Sequence, residues 1–258
     1  MALIAMAVHD LDGAGRTSLT SRTLESLQTQ VDFKRHRLFV IDNGSCDDTK
    51  YLLETSRNFM GFHLITLPAN IGTAKAINLA WKNRKPGELC VKMDNDVVVH
   101  HVDWPDRMEE AVRRQPKLGI VGLKRKDCEE SPNASHPWYR SSLTMLPHLS
   151  GQPWLVVEQV NHVMGTCQGY NPALLDKIGY LYQMGGLYGF DDALASVRAQ
   201  IAGFWTVFLH GIEIDHIDPG GTPYTQWKQD YAGTLMAKFN QIKQEFESGK
   251  RPIYCPAD

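Results

Sequence analysis

Val40-Ile41-Asp42-Asn43-Gly44-Ser45-Cys46-Asp47-Asp48-Thr49 changes character twice within ten residues. It opens as the end of an apolar run, Leu38 to Ile41, which is continuous in the way of a strand buried on both faces. Asn43-Gly44 tolerates positive φ and turns the chain. Asp47 and Asp48 then suit a helix N-terminus, where carboxylates meet free backbone N–H groups. Strand, turn and helix start follow one another without spare residues, as in one βα unit.

The same unit recurs on both sides. Leu3 to Val8 reads as a first buried strand, followed by a polar loop from His9 to Gly15 and a helix over Thr17 to Gln30, with Leu24, Leu27 and Val31 on one side. Phe62 to Leu67 is a third strand, after which Asn70-Ile71-Gly72 turns into a helix carrying Ala74, Ile77 and Trp81. Leu89 to Met93 is a fourth strand, ending in Asp94-Asn95-Asp96. Pro105 opens another helix, and Gly119 to Leu123 is a fifth strand. Repeated units of this length predict an α/β domain with a mostly parallel, Rossmann-like sheet flanked by helices.

The pattern then breaks. Lys124 to Pro153 is long, polar and proline-bearing, as in a lid or a binding loop. Strands are expected at Trp154 to Val160, Val163 to Tyr170 and Trp205 to Leu209. Helices are expected at Pro172 to Ile178, ended by Gly179, and at Asp191 to Gly203. Leu235, Phe239, Ile242 and Phe246 mark an amphipathic C-terminal helix. Residues 1–123 and 124–258 read as two halves of one domain, with a small C-terminal lobe.

Composition narrows the function. With 43% hydrophobic and 22% charged residues in 258, a sizeable core is available and an ordered chain is expected. A net charge of -2 gives no global field toward nucleic acid or anionic membrane. No apolar run approaches the roughly 20 residues that span a bilayer, and Met1 to Val8 reads as a strand and not a signal peptide. Cys46, Cys90, Cys128, Cys167 and Cys255 are scattered, without a Cys-x-x-Cys pair, which speaks against a disulfide framework or a zinc-thiolate site. A reducing cytoplasm is the expected location.

In open α/β sheets, ligands sit beyond the carboxyl ends of the strands. His9 and Asp10, Asp42, Asn70, and Asp94 with Asp96 follow four successive strands and suggest a shared polar rim. Asp94 and Asp96 suit a magnesium or manganese ion whose shell is completed by phosphate oxygens; alone, the tripeptide simply ends a strand. Asp191-Asp192 are ordinary helix-start residues or, since adjacent carboxylates oppose each other's ionisation, hold a general base. His216, in Ile214-Asp215-His216-Ile217-Asp218, is a further candidate ligand for manganese.

The order of these motifs resembles the family 2 glycosyltransferases of the GT-A fold, from Leu3 to about His216. The resemblance rests on Arg22 and Ser26-Leu27-Gln28-Thr29-Gln30; on the Asp42 to Thr49 stretch; on Asn70-Ile71-Gly72 through Asn78; on Asp94 and Asp96 as an Asp-x-Asp motif; on Asp191, Asp192 and Arg198; and on His216. It implies inverting transfer from a nucleotide diphosphate sugar, with Mn2+ or Mg2+ as cofactor. Asp96 and His216 would bind the metal, and Asp94 the metal or the ribose. Asp42 would accept from the donor's base, usually uracil. Asp192 would be the catalytic base, with Asp191 beside it. The implied donor-binding set is His9, Asp10, Asp42, Asn70, Gly72, Lys75, Asp94 and Asn95. Two features depart from the family: Asp-Asp replaces the usual Glu-Asp, and His9-Asp10-Leu11-Asp12-Gly13 replaces Pro-x-Tyr-Asn.

Two other classes share part of this pattern. A nucleotidyltransferase carries a glycine-rich basic loop after its first strand, which Gly13-Ala14-Gly15-Arg16 faintly echoes; a sugar-binding module would lack the catalytic set. The acceptor is a saccharide, a small molecule or a hydroxylated base in nucleic acid. For the last, Lys124-Arg125-Lys126 with Trp138, Tyr139 and Arg140 would track a phosphate backbone and stack a base.

Overall fold

The computed structural model describes residues 1–11, 13, 15–127 and 142–257. The first four expected strands are β1 (Ala2–Val8), β2 (Arg37–Asn43), β3 (His63–Leu67) and β4 (Leu89–Met93), with helices α1 (Thr17–Gln30), α2 (Asp47–Met60) and α3 (Thr73–Trp81) between them. They pair in parallel in the order β3-β2-β1-β4. Every residue of β4 and all but one of β1 is buried, as their unbroken apolar runs predict.

The sheet continues through β9, β6, β10, β8 and β7. These are β6 (Leu118–Arg125), β7 (Ser142–Met145), β8 (Val156–Gln159), β9 (Cys167–Tyr170) and β10 (Trp205–His216). β9 runs antiparallel between β4 and β6, and β8 antiparallel to β10, so this half is mixed. A short β5 (Val97–Val99) pairs antiparallel with the end of β10. Helices α4 (Trp104–Arg114), α5 (Pro172–Ile178), α6 (Asp191–Ile201) and α7 (Pro223–Glu247) complete the domain. The chain is thus a single α/β domain whose central sheet is flanked by helices. The halfway point at 123/124 falls inside β6, so both halves share one sheet.

Three strands differ from expectation. β5 follows the acidic tripeptide with three valines, too few for a pattern to show. β7 lies inside the expected long loop. β10 runs seven residues beyond Leu209, because Gly211 (φ 79°) carries it across a register shift that a bulge creates between Phe208 and Glu213.

Each sheet face carries its own core. One gathers Leu24 and Leu27 of α1 with Trp104 and Met108 of α4; the other gathers Ala76, Ile77 and Trp81 of α3 with Tyr170. A third, smaller cluster of Met184, Leu194, Ile242 and Phe246 seats α7 on α6, the C-terminal lobe. α7 begins twelve residues before its apolar stripe, where Thr222 and Thr225 form a reciprocal capping box. Among the described residues, no helix is long and apolar enough to cross a membrane. Cys46, Cys90 and Cys167 are free thiols; Cys128 lies outside the described residues.

Candidate active site

The turns after β2 and β3 are locked to each other. Gly44 has φ 78°, and a Cβ there would sit 2.7 Å from the Ala69 backbone, so the sequence Asn-Gly is required by space as well as by φ. Asn43 donates from Nδ2 to Asn70 Oδ1 (2.9 Å) and accepts from the Ile71 N–H (2.9 Å), while Asn70 also accepts from the Gly72 N–H. His9 Nδ1 lies 3.0 Å from the Asn43 carbonyl.

The acidic tripeptide is held by helix α1. Thr20, Thr23 and Ser26 form a buried polar stripe at i, i+3, i+6. Thr20 accepts from Asn95 Nδ2, Thr23 from the Val97 N–H and Ser26 from the Val99 N–H. Helix hydroxyls therefore satisfy the edge of β5 that β10 does not. Across β5 and β10, Val97 pairs with His216, and Ile217 N–H donates to the Asp96 carbonyl (2.8 Å). That register sets His216 beside Asp96.

A cleft of about 680 Å³ opens above these strand ends. His9, Asn70, Asp94, Asn95, Asp96, Asp191, Asp192 and His216 all line it, although they come from points scattered over the chain. Four expected donor residues do not. Asp10 is 2% exposed and ties α1 to α2 by accepting from Thr17 and Thr49. Asp42 is 1% exposed; its Oδ1 accepts from the Ser45 N–H and its Oδ2 has no partner among the described residues. Gly72 (φ 93°) packs where a Cβ would strike the Gln183 amide. Lys75 is exposed, its backbone N–H bonded to Gln183.

Two buried cations organise the carboxylates. Arg16 bridges Asp96 (2.6 Å) and Asp218 (2.8 Å) and lies 4.3 Å over the Tyr224 ring. Burial pulls its guanidinium down, but Asp96, Tyr224 and Asp218 outweigh that and hold it above its ordinary value. Lys92 sits 3.4 Å from Asp191 and 3.5 Å from Asp94 and donates to the Gly165 carbonyl. Its ammonium is likewise lowered by burial but raised further by Asp191, Asp94 and Asp192. Burial pushes the Asp191 carboxyl up, Lys92 opposes this, and Asp192 and Asp94 add to it. Asp192 accepts from the Gly165 N–H (2.9 Å) and the Ala193 N–H (2.7 Å), and His162 lies 3.6 Å away.

The expected metal ligands are partly assembled. Asp96 Oδ1 is buried without a hydrogen-bond partner among the described residues and lies 3.6 Å from His216 Nε2. A buried unpartnered carboxylate oxygen facing an imidazole nitrogen fits a hard to borderline divalent cation. Asp94 does not join them: it faces Lys92. Among the described residues no three His, Cys, Asp or Glu side chains are already grouped as a metal site. Sequence reading missed Lys92, whose place in an apolar strand hides it, and gave Arg16 only a weak phosphate-loop role. It also missed Tyr188, Trp227 and Lys228, which line the cleft without forming any motif. Arg198 is structural: fully buried, it donates to the carbonyls of Ile253 (2.8 Å), Tyr180 (2.9 Å) and Ile178. Trp138, Tyr139 and Arg140 lie outside the described residues.

The family model for glycosyl transferase family 2 matches residues 16–179, well over half of the chain. The chain belongs to glycosyl transferase family 2. Solved glycosyltransferase structures share its fold. A mannosyltransferase from Pyrobaculum calidifontis in complex with GDP-Man and Mn2+ is 17% identical, with TM-score 0.67 over 94% of this chain and 64% of that one. S. aureus TarS in complex with UDP-GlcNAc is 16% identical, with TM-score 0.59 over 86% and 62%. GalNAc-T7 with UDP, GalNAc and Mn2+ is 11% identical, with TM-score 0.62 over 84% and 43%. The family 2 chain therefore spans less than two thirds of each of these. No curated protein matches it in sequence.

Proposed function

We propose that this chain transfers a sugar from a nucleotide diphosphate sugar to an acceptor hydroxyl, with inversion and with Mn2+ or Mg2+ bound. The observation that carries the reading is convergence: Asp94, Asp96, Asp191, Asp192 and His216 line one cleft at the strand ends of a family 2 fold. The metal-bound neighbours support it. Residues 1–123 supply the donor side and 124–258 the acceptor side.

Asp96 and His216 would hold the cation, and Asp94 would serve the metal or the ribose. A cation held there would offset charge on the departing diphosphate. His9, Asn70 and Asn95 line the donor end, while Asp10, Gly72 and Lys75 shape it from outside the lining. Asp42 is enclosed behind the lining, but its Oδ2 has no partner among the described residues, and a uracil ring N–H is a donor that would satisfy it, which favours a uridine donor. Asp192 takes the acceptor's hydroxyl proton. The acceptor oxygen bonds to the anomeric carbon as the bond to the diphosphate oxygen breaks, so the configuration inverts. Asp192 suits this role because it is half-buried and reachable, whereas Asp191 is committed to Lys92.

The test is nucleotide release from a panel of UDP- and GDP-sugars, with and without EDTA. Release of nucleoside diphosphate that EDTA stops and Mn2+ restores is expected. Release of pyrophosphate would make the chain a nucleotidyltransferase, and full turnover of Asp96→Ala in EDTA would remove the metal from the reading.

A further inference from the structure

One wall of the cleft has no part in the chemistry above. Trp227 on α7 lines the cleft and is 41% exposed. Its ring centroid lies 5.4 Å from Tyr231, 6.0 Å from Tyr224 and 6.3 Å from Tyr188. Positions 224, 227 and 231 share one helix face, and the rings of Tyr224 and Tyr231 lie within 30° of parallel to the indole.

The row is immobilised. The Lys228 ammonium lies 4.6 Å over the Tyr224 ring and 5.2 Å over the Tyr188 ring. The Tyr231 hydroxyl packs so closely on Gly186 that a Cβ there would overlap it. Gln183 donates to the Gly186 carbonyl (2.7 Å), which fixes the loop before Tyr188. An indole left partly open, inside a cleft and on a rigid shelf, is a preorganised surface for a flat-faced ligand.

Charge selects which ligand. Among the described residues, six aspartates line the cleft against three Lys and Arg side chains, Lys92, Arg125 and Lys228, with Arg16 behind Asp96 and Asp218. Lys92 is engaged with Asp94 and Asp191, and Arg125 with Asp127. Away from the cation that would meet the donor's diphosphate, a phosphate backbone threading this cleft would meet like charge. A neutral pyranose fits: its C–H face lies on the indole, and its hydroxyls donate to carboxylates.

Resting on the glycosyl-transfer reading above, we propose that Trp227, flanked by Tyr224 and Tyr231, is the stacking platform for the acceptor, and that the acceptor is a neutral saccharide. The platform shares its cleft with Asp192, which the acceptor hydroxyl must reach.

The experiment is saturation-transfer NMR on the full chain with cellobiose, maltose, lactose, mannobiose and diacetylchitobiose, alongside a thymidine decanucleotide. A disaccharide should receive saturation mainly through the C–H protons of one ring face. Trp227→Ala should weaken its binding by about tenfold, the loss typical of a truncated aromatic anchor. Trp227→Phe, which keeps a ring, should retain most of it. The proposal is overturned if no disaccharide binds, if binding survives in Trp227→Ala, or if the decanucleotide binds more tightly than every disaccharide. UDP calorimetry on the parent tests the donor reading separately: absence of UDP binding counts against that reading alone, while the saccharide result still stands or falls on Trp227.

Discussion

Arg16 and Lys92 each bring a buried positive charge to the cleft floor, but they hold their aspartates in different ways. Arg16 uses two nitrogens at 2.6 and 2.8 Å to join Asp96 and Asp218 and stacks on Tyr224. Its planar fork makes two directed bonds at once. Lys92 has a point charge, sits 3.4 and 3.5 Å from Asp191 and Asp94, and directs its hydrogen bond at the Gly165 carbonyl. The fork fixes geometry, while the ammonium neutralises charge without fixing it. The difference places a rigid pair at the candidate metal end and an adjustable cluster at the candidate base end, where a proton has to move.

The sharpest way to break this comparison is at the adjustable end. Asp192→Asn keeps size and much of the hydrogen bonding but cannot take a proton, so turnover should fall by roughly 10²–10⁴-fold with donor binding nearly intact. Asp191→Asn should lose less. Released nucleotide and calorimetry read the two effects; a dead Asp191→Asn beside an active Asp192→Asn would move the base one residue back.

Next in size is Lys92→Met. It strands the buried Asp191 carboxylate, and removing one partner of a buried pair costs about 3–5 kcal/mol. pH sharpens the point. Burial, with Asp192 and Asp94, already raises the Asp191 carboxyl against the pull of Lys92, and the variant raises it further. The folded state then holds this proton at pH values where the unfolded state has lost it. Stability therefore falls as pH climbs from the ordinary carboxylate value through the raised one. Urea unfolding should show a deficit that is larger at pH 8 than at pH 5; a deficit independent of pH would mean Lys92 does not govern Asp191.

The smallest effect is expected at the rigid end. Arg16→Lys keeps the charge but cannot bridge both carboxylates, which costs about 1.5–3 kcal/mol for a lost charged hydrogen bond. It also loosens the hold on Asp96. In thermal unfolding, Mn2+ should stabilise this variant more than it stabilises the parent; an equal shift would place the ion away from Asp96.

The sequence reveals these two ends unequally. β1 to β4 are legible because strands buried on both faces must be apolar throughout, and their helices carry stripes at helical spacing. Asp94, Asp96, Asp191, Asp192 and His216 are legible as a set only through their order along the chain. That the cleft gathers them depends on β5 and the end of β10. Three valines are too short to show a period, and Gly211 interrupts the strand that places His216. Lys92 is hidden by its own strand, since a single lysine among apolar residues looks like a solvent-facing position. Asp42 shows what the sequence leaves out: an acidic residue after a strand reads as a rim residue, and only the structure shows it 1% exposed beneath the turn at Gly44. The aromatic wall escapes for a simpler reason, because aromatic residues at i, i+3 and i+7 look the same whether a core or a ligand covers them.

The pairing of β10 with β5 gives the site a parity. Asp215 and His216 are neighbours in an extended strand and point to opposite faces: His216 toward Asp96, Asp215 toward His100 (2.6 Å) and Lys126 (3.1 Å). A single residue inserted near Gly211 would exchange them, presenting a carboxylate to Asp96 and an imidazole to the basic outer face. Two inserted residues would restore each side chain's face but set Ile214 where His216 now stands. Length variation in this stretch should therefore be purged unless a wider bulge at Gly211 absorbs it, like a reading frame written in protein and not in codons.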